Sequence, residues 1–149
     1  MKTLKTLLTC LLAGWTISHA AAAQLEWMTD LPKAQQKATT DKKMVLLDFT
    51  GSDWCGWCHK LKAEVFSTDD FANYAKTNLV LVEVDFPRNK QLSAAQTKAN
   101  MALQAKYGVQ GYPTIIVLNS QGTKVAQLGY QPGGPKPFLA QLDRAKSQK

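Results

Sequence analysis

The run Cys55-Gly56-Trp57-Cys58-His59 holds two of the three cysteines of the chain at a spacing that suits two different chemistries. A Cys-x-x-Cys pair beside a strand–helix pattern exchanges thiols for disulfides, whereas Cys-x-x-Cys-His can anchor a c-type haem. In the first reading the thiolate is the nucleophile, and a cysteine at a helix start is favoured as thiolate by free backbone N–H groups and the helix dipole. Cys55 would attack a substrate disulfide, and Cys58, one turn on, would attack the mixed disulfide and release the product. Cys55 is then expected to be the more exposed sulfur and Cys58 the buried one. A bridge between them would enclose only Gly56 and Trp57, too short a loop to stabilise the fold appreciably, so it reads as reactive rather than structural.

Other residues fit around this pair. Asp48 lies inside the apolar run Met44-Val-Leu-Leu-Asp-Phe49. A buried carboxyl there would have a raised pKa and could move a proton for Cys58. Tyr112-Pro113 directly precedes Thr-Ile-Ile-Val, and a proline at the mouth of a strand is often held as a cis peptide in a tight turn. Trp54 and Trp57 flank the cysteines; Trp54 is expected to pack inward and Trp57 to stand exposed as an apolar rim for a partner polypeptide. The haem reading needs His59 as one axial ligand and a distal Met or His, with Met28, Met44 and Met101 as candidates. Met44 falls in a core strand, and the strand-rich pattern differs from the helical build of small cytochromes. Zinc would need four ligands, more than Cys55, Cys58 and His59 provide. Binding of a soft ion such as Cu(I) by the dithiol is the metal-handling alternative.

These side chains need elements to hold them. Asp30 to Thr40 reads as a short amphipathic helix with Pro32 in its first turn. Met44–Phe49 reads as a buried strand. After the break at 50–53, a helix starts within the cysteine motif and runs to about Val65. Ser67-Thr68-Asp69-Asp70 is a helix start, good to about Lys76. Leu79 to Val84 is a strand, and Leu92 to Tyr107 a helix stopped by Gly108. Strands 114–118 and 124–128 form a hairpin around Asn119–Gly122, and a helix from Pro135 to about Ala145 closes the chain. This order predicts an α/β fold with a mixed central sheet covered by helices on both faces.

Lys2 and Lys5, the apolar stretch Leu7–Ile17 and the alanines at 20–23 have the layout of a cleavable secretory signal peptide, so residues 1–23 are set apart and 24–149 form one domain. Cys10 and His19 leave with that segment. Export places the protein in the periplasm or outside the cell, an oxidising setting. The formal charge is +7, but the basic residues are scattered rather than clustered with aromatics, which argues against a nucleic-acid role. A monomer is expected.

Asp48-Phe49, Trp54-Cys55-Gly56-Trp57-Cys58, Tyr107-Gly108-Val109, Gly111-Tyr112-Pro113-Thr114 and the hairpin ending near Gly129 follow one another in an order that resembles the thioredoxin-like superfamily across nearly the whole domain. The Ser-Asp-Trp-Cys-x-x-Cys segment is similar to that of exported bacterial members, including the soluble domain of the membrane electron carrier that feeds periplasmic reductases. The resemblance implies a disulfide oxidoreductase, most simply a reductase, with Cys55 and Cys58 as the redox-active pair and Asp48 as buried acid. It implies a cis Pro113 packed against Cys55 and a Tyr112 backbone that pairs with an incoming peptide. It implies protein disulfide or thiol substrates, a membrane thiol–disulfide electron donor, and no cofactor or metal. The chain departs from thioredoxin in having Gly56-Trp57 in place of Gly-Pro, a loop one residue longer before Cys55, and a longer stretch between Asp85 and Tyr107 with room for an added helix that shapes partner choice.

Overall fold

Strands that are apolar at every position are stable only where both faces are covered, and two such runs set the centre of this molecule. A computed structural model describes residues 25–148. The expected signal peptide lies outside the described residues. Met44–Thr50 (β2) is buried along its whole length and pairs in parallel with Leu79–Asp85 (β3). Thr114–Leu118 (β4) runs antiparallel on the other side of β2, and Lys124–Leu128 (β5) completes the hairpin. Trp27–Met28 (β1) adds a short parallel edge on β3, giving the order β1-β3-β2-β4-β5. This is the mixed sheet expected. The sequence reading missed β1, whose two residues are too few to show a periodicity.

Alternation along β2 sends Met44 and Leu46 to one face and Val45, Leu47 and Phe49 to the other. The second face is covered by helix α1 (Leu31–Asp41), through Leu31, Ala34 and Ala38, and by α4 (Ala94–Tyr107), through Leu103 and Tyr107. The first is covered by α2 (Gly56–Leu61), α3 (Asp69–Asn78) and α5 (Pro135–Lys146). There Leu61, Phe71, Phe138 and Leu142 pack on Leu46, Ile115 and Val117.

Helix starts follow local chemistry. Asp30, Thr68 and Ser93 cap α1, α3 and α4 by accepting N–H groups three residues on. Gly108, at φ 65°, ends α4 as expected. Two expectations change. The helix after the cysteines is not uniform: α2 passes into a π-helical turn at Lys62–Phe66, which lets the adjacent residues Val65 and Phe66 both reach the core. The long stretch after β3 adds no helix: residues 86–93 are irregular, and α4 is the single helix between Asp85 and Tyr107. Its buried residue, Asn100, donates to the Asp85 carbonyl (2.8 Å) and so satisfies the end of β3.

Candidate active site

The C-terminal ends of β2 and β3 and the start of β4 lie on one edge of the sheet, where connecting loops can meet outside the strand ends. Asp85, buried at the end of β3, accepts from the Ser52 backbone N–H (2.9 Å) and the Ser52 hydroxyl (2.6 Å). Its carboxylate thereby fixes the loop that leaves β2. Asp53 accepts from the N–H groups of Arg88 (3.0 Å) and Asn89 (2.6 Å). The Arg88 bond above all holds the Asp53 carboxyl below its ordinary range. Gly51 has no room for a side chain, because a Cβ would lie 2.6 Å from the Trp54 indole nitrogen. That indole donates to the Phe86 carbonyl (2.8 Å), meets the Tyr112 ring edge-on at 5.9 Å and carries the Arg88 guanidinium at 3.9 Å. Trp54 thus packs inward, as expected, and joins three loops.

Cys55 follows as the N-cap of α2. Its N–H donates to the Gly51 carbonyl (2.9 Å), and its Sγ accepts the Cys58 N–H at 3.2 Å. The two cysteines form a disulfide with Cα atoms 5.2 Å apart. Exposure does not separate them: each is 6% exposed. The bridge draws Cys55 Sγ onto the first turn, and the expected difference is absent from this oxidised form. What distinguishes them is backbone position, since only Cys55 Sγ faces a helical N–H.

Asp48 is buried, and its Oδ1 has no hydrogen-bond partner among the described residues. It lies across from Glu83 in β3 and opens onto a cavity of about 520 Å³ lined in part by Trp27, Lys62, Phe66 and Glu83. Burial pushes its pKa up to about 7, with Glu83 and then Asp85 adding to the rise and Lys62 opposing it. Lys62, one turn beyond Cys58, and Phe66 bring the π turn that follows α2 to the cavity wall. The peptide before Pro113 is cis. Tyr112 is half-buried, stacked on Phe86 at 5.2 Å, and its hydroxyl accepts from Gln104 (2.8 Å). Trp57 is 57% exposed.

His59 is exposed, with Nε2 2.8 Å from the Ser52 carbonyl. A carbonyl only accepts, so Nε2 carries the proton and the ring is engaged with the site loop. Met44 is a buried residue of the sheet, which removes it as a distal haem ligand.

A family model described as a thioredoxin-like domain matches residues 31–146. The chain belongs to the thioredoxin-like family. The disulfide bond reductase DsbH of Chlamydia pneumoniae is 34% identical over 125 residues, covering 84% of this chain and 75% of that protein. A solved structure of a DsbH oxidoreductase superposes with a TM-score of 0.80 at 31% identity, over 92% of this chain and 96% of the other. The thiol:disulfide interchange protein DsbD of Pasteurella multocida is 28% identical over 128 residues, but this chain covers only 20% of its length.

The residues that brace this thioredoxin-like site were not all legible beforehand. Asp85, Ser52 and Arg88 act through partners more than 30 residues away, and Gly51 acts through the absence of a side chain. A carboxylate at the end of a strand that pairs with the Asp48 strand was the one available signal for Asp85.

Proposed function

We propose that this chain is an exported thiol–disulfide oxidoreductase that works as a reductase of protein disulfides through Cys55 and Cys58. The observation that carries the reading is the Cys55–Cys58 bridge on the first turn of α2, with the Cys58 N–H aimed at Cys55 Sγ. That N–H stabilises negative charge on the sulfur that must attack. Similarity to a protein named as a disulfide bond reductase supports the direction.

In the reduced protein, the Cys55 thiolate attacks one sulfur of a substrate disulfide. The substrate S–S bond breaks, one substrate thiolate leaves and takes up a proton, and Cys55 is held in a mixed disulfide. The Cys58 thiol then passes its proton to the Asp48 carboxylate. The new thiolate attacks Cys55 Sγ and expels the second substrate thiolate. The substrate gains two electrons, and the protein is left as the disulfide seen here. An acid that titrates near 7 both accepts and returns a proton at neutral pH. Tyr112 and Pro113 at the mouth of β4 offer backbone for an extended peptide, and Trp57 an apolar rim. A dithiol donor must then restore the thiols. For a protein carried past the membrane by residues 1–23, that donor is a membrane thiol–disulfide carrier. The two thiols carry both electrons, so no resident cofactor is needed.

Insulin reduction with dithiothreitol tests the chemistry. Cys55→Ser should abolish it, and Cys58→Ser should accumulate a mixed disulfide visible by mass spectrometry; full activity in Cys55→Ser refutes the mechanism. Equilibration with glutathione tests the direction. A potential below about −200 mV supports a reductase, and one near −120 mV marks an oxidant.

A further inference from the structure

Trp57 and Met101 are the exposed large hydrophobic side chains among the described residues, and Trp57 lies between the two cysteines. An exposed indole on a short helix would ordinarily sample several rotamers. Here it is braced. The Tyr130 ring, from the loop after β5, packs against it at 5.4 Å and 34°. The Lys60 ammonium sits 5.5 Å from the Trp57 ring centre and 5.6 Å from that of Tyr130, so one cation spans both rings. Glu64 closes the group: its Oε2 accepts the Tyr130 hydroxyl at 2.7 Å, and its Oε1 lies 3.8 Å from Lys60. Trp57, Lys60 and Glu64 share the outward face of α2 and the π turn, and Tyr130 ties that face to a distant loop. The loop is itself placed at the site, since the Cβ position of Gly129 lies 3.8 Å from the Pro113 carbonyl.

Resting on the disulfide-exchange reading, we propose that Tyr130 is a positioning residue that holds Trp57 as a preformed lip beside Cys55, and that this lip takes an apolar side chain adjacent to the target cysteine of a polypeptide substrate. Packing alone would bury the indole; this arrangement orders it and leaves more than half of it in water. Ordering a side chain before binding removes that cost from the binding step, and large aromatics are the usual anchors of recognition. Small disulfides such as oxidised glutathione have no apolar group to place there. The lip therefore selects among polypeptides by the residue next to the cysteine.

The experiment uses two disulfide-linked peptides that differ only in Phe or Ser beside the cysteine. The wild-type protein should favour the Phe peptide in kcat/KM by about fivefold, the scale of an aromatic contact, with the difference in KM. Tyr130→Ala should reduce that ratio to below about twofold, and Tyr130→Phe, which keeps the ring, should restore most of it. A ratio unchanged in Tyr130→Ala, or an equal loss on both peptides, overturns the proposal. A second measurement does not depend on turnover. A linear Phe peptide with serine in place of cysteine should shift the Trp57 indole N–H resonance of the wild-type protein, and the Ser peptide should not. If neither peptide shifts it, the lip is refuted even where disulfides are reduced. If the Phe peptide shifts it but no disulfide is reduced, the lip stands and the catalytic reading fails.

Discussion

Replacing Asp48 with asparagine should stabilise the oxidised protein in alkaline solution and hardly at all in acid. The carboxyl titrates at about 7 in the fold against an ordinary value of 3.8. Between those values the folded protein holds a proton that the unfolded chain has released. Stability therefore falls as pH rises, by about 1.4 kcal/mol per pH unit. The contribution is intact below pH 3.8 and lost as pH passes through 7. Integrated over the interval, ionising Asp48 costs the fold about 4 kcal/mol, and Asp48→Asn escapes that cost. The asparagine amide has its own desolvation cost, but this is constant with pH and cancels when the variant's advantage is compared at two pH values. Urea unfolding of wild type and variant at pH 4 and pH 8.5 is the assay. The stability difference should grow by about 2–4 kcal/mol between them, or by about 10 °C in relative melting temperature for a domain of this size. An advantage that stays constant from pH 4 to pH 8.5 would mean that Asp48 is not held protonated by its surroundings, and its role as proton carrier for Cys58 would fall with it.

Two further substitutions probe the frame around the site. Gly51→Ala should cost about 1–3 kcal/mol, because the added methyl must displace the Trp54 indole and break its bond to Phe86; a net gain in urea stability, as expected for Gly→Ala where space exists, would refute the close approach. Lys42 ends α1 at φ 55°, a left-handed conformation that favours glycine. Lys42→Gly should raise stability by about 0.5–1 kcal/mol without altering disulfide exchange, and a loss in urea midpoint would count against it.

The cysteine pair was legible because its partners are each other, three residues apart. Asp48 stood out for a related reason: one carboxyl in a run of apolar residues breaks a local pattern, and burial is the largest cause of its shift. The strands were legible because unbroken apolar runs leave them no stable place but the centre of a covered sheet. Where the reading failed, the deciding contact was distant. Tyr130 meets Glu64 across 66 residues, and Ser52 meets Asp85 across 33; neither pair leaves a periodicity. The helix expected at 92–107 is present as α4, but the room for an added helix ahead of it goes unused for a different reason. The first half of the segment is held by Asp53 and Trp54, which take up the Arg88 and Asn89 N–H groups and the Phe86 carbonyl directly. A backbone satisfied by side chains has no need of helical bonds to itself. The extra length is thus spent on joining the β3 loop to the cysteine loop rather than on a separate element.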